Sequence, residues 1–219
     1  IYVGYDANDM SVWMSNDAGA NWAQSDASAH VSGLEIHSEN PDVIIYSVLE
    51  NNLYRSADAG YTWSSVLTLD GAFRDKSFTA LSFSESRPNT AFAAASNVRD
   101  QGAMRGKAAP ADVLVSDDSG QTWTTAGICQ NCGVIHTIAV ASNSPENVFV
   151  AGSGGVFKSS NTGRTWERLF ELSTIGLAIQ PGGDETLVIA TMHDGVYRTD
   201  NGGNDWLEAS DGLGANASM

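Results

Sequence analysis

The chain has 219 residues, 42% of them hydrophobic, and its 11 Lys and Arg residues against 26 Asp and Glu residues give a net charge of −15. The apolar content can bury a core, which excludes a wholly disordered chain, and the acidity argues against a nucleic acid or an anionic membrane as partner. No apolar run reaches the roughly eighteen residues of a membrane helix, so we expect no membrane insertion.

Five copies of one octapeptide mark the chain from end to end. Each copy fits the pattern Ser/Thr-x-Asp/Asn-x-Gly-x-x-Trp, and the copies lie at 15–22, 56–63, 116–123, 159–166 and 199–206. Their starts are 41, 60, 43 and 40 residues apart. A period near forty predicts a repeat architecture, and the longer second interval indicates an insertion in the third unit.

Short apolar runs surround each octapeptide in the order expected of β-strands. FTALSF and TAFAAAS precede the third copy, HTIAVA and NVFVAG precede the fourth, and helical periodicity is nearly absent. Each unit therefore reads as strands A, B and C, the octapeptide, and strand D. We predict one all-β domain over 1–219, with units of about 1–28, 29–70, 71–128, 129–172 and 173–213.

The octapeptide is suited to a tight turn between strands C and D. Its Asp or Asn can accept backbone hydrogen bonds, its Gly allows a positive φ, its Ser or Thr adds a second local bond, and its Trp can turn inward. We therefore predict structural roles for the residues at these four positions. They are Ser15, Asp17, Gly19, Trp22, Ser56, Asp58, Gly60, Trp63, Ser116, Asp118, Gly120, Trp123, Ser159, Asn161, Gly163, Trp166, Thr199, Asn201, Gly203 and Trp206.

The octapeptides resemble the Asp-box (BNR-repeat) family of β-propellers, which includes sialidases, sortilin-type receptors, photosystem II assembly factors and xyloglucan-active glycoside hydrolases. The resemblance implies that each unit is a four-stranded blade of a ring. The chain opens on a strand B and stops where a strand A would begin. About five blades are thus expected, either as a closed ring or, as we favour, as part of a seven-bladed one.

In such a propeller the B–C and D–A loops share the face where ligands usually meet the central channel. The longest B–C loop, 97–112, accounts for the insertion. It is either a functional loop or a mobile surface loop without a function. Charged residues of the B–C loops are the binding-face candidates: Asp6, Asp9, Glu50, Arg99, Asp100, Arg105, Asp112 and Asp194. Such an acidic face suits a basic peptide, a cation or a glycan, unless its acids only keep the surface soluble.

Cys129 and Cys132 lie in the D–A loop after the third unit, on the same predicted face. A small disulfide is the leading interpretation. His136 would complete a C-x2-C-x3-H metal pattern, but a fourth ligand is not evident, and a redox C-x-x-C normally opens a helix that is missing here. We therefore predict no metal site and no cofactor.

Three functions remain open. The first is a non-catalytic recognition or scaffold propeller, extracellular or periplasmic, that binds a protein or glycan and belongs to a larger extracellular assembly. The second is part of a xyloglucanase-like hydrolase, in which the resemblance of YVGYDANDMSVW to those enzymes places Asp6 at a catalytic position. The third is a sialidase, which needs an arginine cluster such as Arg74, Arg99 and Arg105, but this chain lacks the sialidase family's Arg-Ile-Pro motif.

A glycoside hydrolase should also present aromatic side chains that stack on sugar rings. In this chain Trp13 is the one Trp outside the boxes.

Overall fold

A computed structural model describes the chain except for residues 6–10, 29–30, 49–50, 74, 99–107 and 214–219. Apart from one 3-10 turn, Gly71–Phe73, the regular elements of the described residues are all β-strands. This confirms the all-β prediction. Among the described residues, no helix has the length and apolar character needed to cross a membrane.

The strands form five antiparallel sheets in chain order, numbered here as sheets 1 to 5. Sheet 1 has three strands: β1 (Tyr2–Tyr5), β2 (Ser11–Met14) and β3 (Ala23–Ser28). Sheet 2 consists of β4 (Val31–Ile36), β5 (Ile44–Val48), β6 (Asn52–Ser56) and β7 (Ser64–Thr68). Sheet 3 consists of β8 (Ser77–Phe83), β9 (Ala91–Ser96), β10 (Ala111–Ser116) and β11 (Thr124–Cys129).

Sheets 4 and 5 repeat the same meander. Sheet 4 consists of β12 (Ile135–Val140), β13 (Val148–Gly152), β14 (Gly155–Ser159) and β15 (Glu167–Phe170). Sheet 5 consists of β16 (Thr174–Ile179), β17 (Leu187–Thr191), β18 (Val196–Thr199) and β19 (Leu207–Glu208). In each four-stranded sheet every strand pairs with its neighbours in sequence, which is the strand order of a propeller blade.

The pairing register is the same from sheet to sheet. The first strand of each four-stranded sheet carries a one-residue irregularity at equivalent positions, namely Ser32, Thr79, His136 and Ile175. The last strand carries another one in sheets 2 to 4, at Val66, Ala126 and Leu169, and in sheet 1 the register shifts over residues 25–27. Because a β-bulge bends its strand and increases the local twist, these repeated bulges give the sheets a common curvature.

Apolar residues pack between consecutive sheets, so that the sheets contact one another in chain order. Ile45 of sheet 2, for example, packs against Phe78 and Leu81 of sheet 3, and Val150 and Phe157 of sheet 4 pack against Phe92 of sheet 3. Burying one side chain of this size contributes roughly 1.5–3 kcal/mol to folding. The molecule is thus an arc of β-propeller blades whose core lies between the blades.

Among the described residues, no sheet packs against the far side of sheet 5. Val188 is 40% exposed there, whereas Ile45, which has the equivalent register position in sheet 2, is 1% exposed. Ile175 at the bulge of β16 is likewise 47% exposed. The contrast shows how much of each blade's burial comes from its neighbour.

Candidate functional site

The loops are sorted onto two sides of the molecule. On the first, here the box side, the A–B loop of each blade binds the C–D octapeptide of the same blade. The bonds run from the amides of Ala59, Ser119, Thr162 and Gly202 to the carbonyls of Asp42, Asn89, Glu146 and Glu185, at 2.8–3.0 Å. On the second, here the loop side, the D–A loop before β12 bonds the B–C loops of its neighbours through Gly133 N to Ala109 O and Ser153 N to Val134 O.

The third octapeptide illustrates the chemistry of the box side. The Ser116 hydroxyl accepts from Gly120 N at 2.9 Å and donates to Asp118 Oδ1 at 2.8 Å. The same carboxylate accepts from Thr122 N at 2.8 Å and from the Thr122 hydroxyl at 2.6 Å. Gly120 has a φ of 81°, which an L side chain rarely adopts, and an added Cβ would overlap Ile45 of the preceding blade. The turn and the blade interface therefore both depend on this glycine.

Hydrogen bonds stabilise the charged form of the three box aspartates. The side chain and backbone of Asn21 lower the pKa of Asp17 to about 2, and those of Thr62 lower the pKa of Asp58 to about 2. For Asp118, partial burial acts in the opposite direction, but bonds from Thr122 and Ser116 outweigh it and the pKa is again about 2. These carboxylates stay ionised at neutral pH with their oxygens occupied, which makes them unsuited to proton transfer.

The two asparagine boxes have the same geometry as the aspartate boxes, but donor and acceptor are exchanged in one hydrogen bond. In the Asp boxes the residue four positions on donates to the carboxylate, as Thr62 does to Asp58. In the Asn boxes that residue accepts instead: Asn161 Nδ2 donates to Thr165 Oγ1 at 2.8 Å, and Asn201 Nδ2 donates to Asp205 Oδ2 at 2.9 Å. The octapeptide pattern did not predict this hydrogen bond, although box five has an Asn and an Asp four residues apart.

Two of the box tryptophans donate a hydrogen bond to the blade before their own. Trp63 Nε1 donates to Ser25 Oγ at 2.5 Å, and Trp206 Nε1 donates to Leu169 O at 3.2 Å, in both cases at the bulge of the preceding blade's last strand. Trp22, in sheet 1, departs from the expected inward burial, because its side chain is 40% exposed. The box side is thus committed to internal bonding.

On the loop side, the described candidates are Asp112 and Asp194. Asp112 is 6% exposed and forms an ion pair with Lys76 inside the protein, so its carboxylate is not accessible to a ligand. Asp194 is exposed in the loop between β17 and β18, where its backbone N donates to Thr191 Oγ1 at 2.8 Å. The other candidates lie outside the described residues: Asp6, Asp9, Glu50, Arg99, Asp100 and Arg105, together with Arg74.

Cys129 and Cys132 form a disulfide with a Cα–Cα distance of 5.6 Å, and both are buried. His136 lies exposed on β12, and partial desolvation lowers the pKa of its imidazole. Within the described part of the chain no three His, Cys, Asp or Glu side chains come together in a way that could hold a metal ion.

Glu35 is a titratable group that the sequence analysis did not identify. It lies near the end of β4, facing the interface with sheet 3, where the equivalent positions of later blades hold Ser82, Ala139 and Ala178. Burial raises the pKa of Glu35 to about 7, and a hydrogen bond from the Phe83 backbone opposes the shift only in part. The signal in the sequence was one acid within the otherwise uncharged run VSGLEI.

The sheet order, the five boxes and the packing of the last four box tryptophans on the preceding blade define an Asp-box β-propeller. Residues 10–150 match the Sortilin-Vps10 family, described as Sortilin, neurotensin receptor 3. The chain belongs to this family, which confirms the predicted resemblance to the Asp-box propellers.

Comparison with single proteins adds a second line of similarity. The chain is 25% identical to a xyloglucanase of Hypocrea jecorina over 98% of its own length, and it spans about a quarter, 24%, of that enzyme. Among solved structures it resembles an ancestral GH74 enzyme with a TM-score of 0.76 and 20% identity, over 97% of this chain and 29% of that one. The GH74 xyloglucanase of Xanthomonas campestris has a TM-score of 0.66 and 16% identity, over 84% and 31%.

A different kind of protein shares the same fold. YCF48 bound to D1 peptide has a TM-score of 0.60 and 17% identity, over 94% of this chain and 59% of that one. At these identities the structural likeness is one of fold. Chains of this architecture thus include hydrolases and a propeller with a bound peptide.

Proposed function

We propose that the chain is a glycan-binding part of a xyloglucan-active glycoside hydrolase, with the loop side as its glycan-facing surface. The observation that carries the proposal is the sequence similarity to a xyloglucanase, which extends over 98% of the chain and is not confined to the boxes. The likeness of fold to GH74 enzymes is consistent with it.

The chemistry of the two sides favours the loop side for binding. The box side repeats one bonding pattern five times, and its polar side chains already bond one another. The loop side carries loops of different lengths, including the 97–112 loop, as is typical of binding loops on a rigid scaffold. A glycan bound there would lie across the ends of several blades.

Hydrolysis of a glycosidic bond needs one carboxylic acid and one carboxylate. Asp112 is unsuited to either role because Lys76 neutralises it inside the protein. Asp6 stays the catalytic candidate of this chain, and the resemblance to xyloglucanases implies that its partner comes from another domain. The chain would then contribute binding surface and one of the two carboxylates.

The proposal is tested with the protein in its native length, using xyloglucan oligosaccharides as substrate. We expect Asp6→Asn to lower kcat by about 10²–10⁴-fold, the usual contribution of a positioned acid or base, with a much smaller change in KM. Asp17→Asn is the matched control, because boxes four and five already use Asn at that position. The proposal fails if the parent neither binds nor cleaves the oligosaccharides, or if both variants keep the parent's kcat.

Recognition of a peptide is the second candidate, favoured by the fold likeness to YCF48 bound to D1 peptide. The net charge of −15 would suit a basic peptide. This function would be supported if the protein bound a basic peptide with an affinity that falls steeply with salt and did not bind xyloglucan.

The extracellular or periplasmic location stays a prediction, supported by the disulfide, since disulfides persist in oxidising compartments. The sialidase hypothesis also stays a prediction, because its arginines lie outside the described residues.

A further inference from the structure

The 97–112 loop returns to the sheet through residues 108–112, here called the stem, which includes the first two residues of β10. One side of the stem is held by Lys76, which precedes β8. The Lys76 ammonium pairs with the Asp112 carboxylate and lies 3.5 Å from the carbonyl oxygen of Pro110. The two side chains of the pair are 18% and 8% exposed, so solvent screens their attraction only weakly.

The other side of the stem is held by residues 129–134, here called the disulfide loop. Gly133 N donates to Ala109 O at 2.8 Å, and Ala108 is buried. Gly133 has a φ of 66°, and an added Cβ there would overlap Ser153 Oγ and lie 3.1 Å from the Ala108 Cβ. The stem therefore touches a turn that leaves no room for a larger residue.

The disulfide loop is itself fixed to the next blade. Gly154 N donates to Cys132 O at 2.9 Å and Ser153 N donates to Val134 O at 2.9 Å, so the loop between β13 and β14 holds the turn from outside. From inside, Cys129 and Cys132 are 0% and 1% exposed and belong to the apolar cluster between sheets 3 and 4. Cys129 also pairs directly with Ala111 of the stem in the β10–β11 register.

We infer that the Cys129–Cys132 disulfide and the Lys76–Asp112 ion pair form a clamp that fixes the stem and thereby positions the returning end of the 97–112 loop on the loop side. The disulfide restricts the turn that carries Gly133, and the ion pair closes the opposite side. The clamp itself does not depend on the proposed function, whereas its effect on glycan binding does.

Limited proteolysis of the protein in its native length tests the clamp. Within this loop trypsin cleaves after Lys107, next to the stem, and after Arg105 and Arg99, which are two and eight residues earlier. A protease needs an open, extended segment, so release of the stem should accelerate cleavage of the Lys107–Ala108 bond in particular. In the Cys129→Ala/Cys132→Ala variant we expect that rate to rise about tenfold, the effect of about 1.4 kcal/mol on an opening equilibrium, with little change at Arg99.

Two further variants separate the clamp from general loosening. Gly133→Ala keeps both cysteines but displaces the turn, and it should also accelerate cleavage after Lys107. Lys158→Met removes a different ion pair of similar burial, the one with Asp184 between sheets 4 and 5, and it should leave the cleavage pattern unchanged. Equal acceleration at Arg99 and Lys107, an unchanged rate in both clamp variants, or the same acceleration in Lys158→Met would overturn the inference.

Binding of xyloglucan oligosaccharides by the same variants adds the functional result. A loss of affinity in the clamp variants, with no loss in Lys158→Met, would extend the clamp's role to the ligand. A parent protein that binds no xyloglucan would refute the proposed function, while the cleavage pattern would still decide the inference about the clamp.

Discussion

The two sides of this propeller are built in opposite ways. On the box side, the Ser or Thr hydroxyl accepts the Gly amide in all five boxes, and an A–B carbonyl accepts a turn amide in the four four-stranded blades. On the loop side, the Lys76–Asp112 pair and the disulfide have no counterpart in the other described blades, although the bond from Ser153 N to Val134 O recurs as that from Met192 N to Ser173 O. Repetition therefore indicates structure in this molecule, and under the proposed function the unrepeated groups of the loop side lie where a ligand would bind.

The largest effect on stability is expected from the box tryptophans that have a preceding blade. Trp123→Ala removes a ring that packs with Val66 and Leu67, and we expect it to lower the free energy of unfolding by about 3 kcal/mol. Trp22→Ala is the matched control, with an expected loss of about 1 kcal/mol because its ring is already 40% exposed. Chemical denaturation of both variants measures the difference, and equal losses would contradict a role for Trp in joining blades.

The second effect is the pH dependence of stability that Glu35 causes at the interface between sheets 2 and 3. Because its pKa is raised from 4.5 to about 7, the folded state holds a proton that the unfolded state releases, so stability falls as pH rises from about 4.5 to 7. Glu35→Gln should remove this slope and raise the free energy of unfolding at pH 8 by on the order of 2–3 kcal/mol. Denaturation curves at pH 5 and pH 8 test it, with the exposed Glu85→Gln as control. Parallel pH profiles for Glu35→Gln and the parent would refute the burial argument.

The third effect tests the reversed polarity of the Asn boxes. Asn201→Asp would place a carboxylate against Asp205 and remove a donor, at a cost of about 1–2 kcal/mol in unfolding free energy. Adding Asp205→Thr should restore the loss, because it recreates the Asp58–Thr62 pair of the second box. The double variant measured against both single variants isolates the coupling. Additive losses would mean that the two positions are independent.

The smallest effect on stability is expected on the loop side. Replacing residues 99–106 by a short Gly-Ser linker should change the free energy of unfolding by less than about 1 kcal/mol, since shortening a loop alters its closure entropy only slightly. Binding of the ligand should nevertheless fall, which a titration with xyloglucan oligosaccharides would measure. A collapse of the thermal transition would instead place this segment in the core structure.

The same contrast explains what the sequence predicted. The octapeptides and the alternating apolar runs indicated the blades, their strand order and the box turns, because these depend on residues close together in the chain. The pairing of Lys76 with Asp112 joins residues 36 positions apart and has no counterpart in a periodic pattern. The pKa of Glu35 depends on how sheet 3 covers β4, and the 40% exposure of Trp22 is not apparent from its octapeptide, which fits the same pattern as the other four. Such properties arise from packing between repeats, which the repeat itself does not encode.

The packing of each box on the blade before it gives the molecule a direction. Gly60 lies against Met14 and Tyr2, Gly120 against Ile45, and Gly203 against Leu169, in each case residues that are earlier in the chain. During synthesis, a blade that leaves the ribosome therefore meets a receiving surface that has already been made. The later box tryptophans therefore meet packing partners that have already been synthesised. The chain can thus assemble in the order in which it is synthesised, with each blade serving as the template for the next.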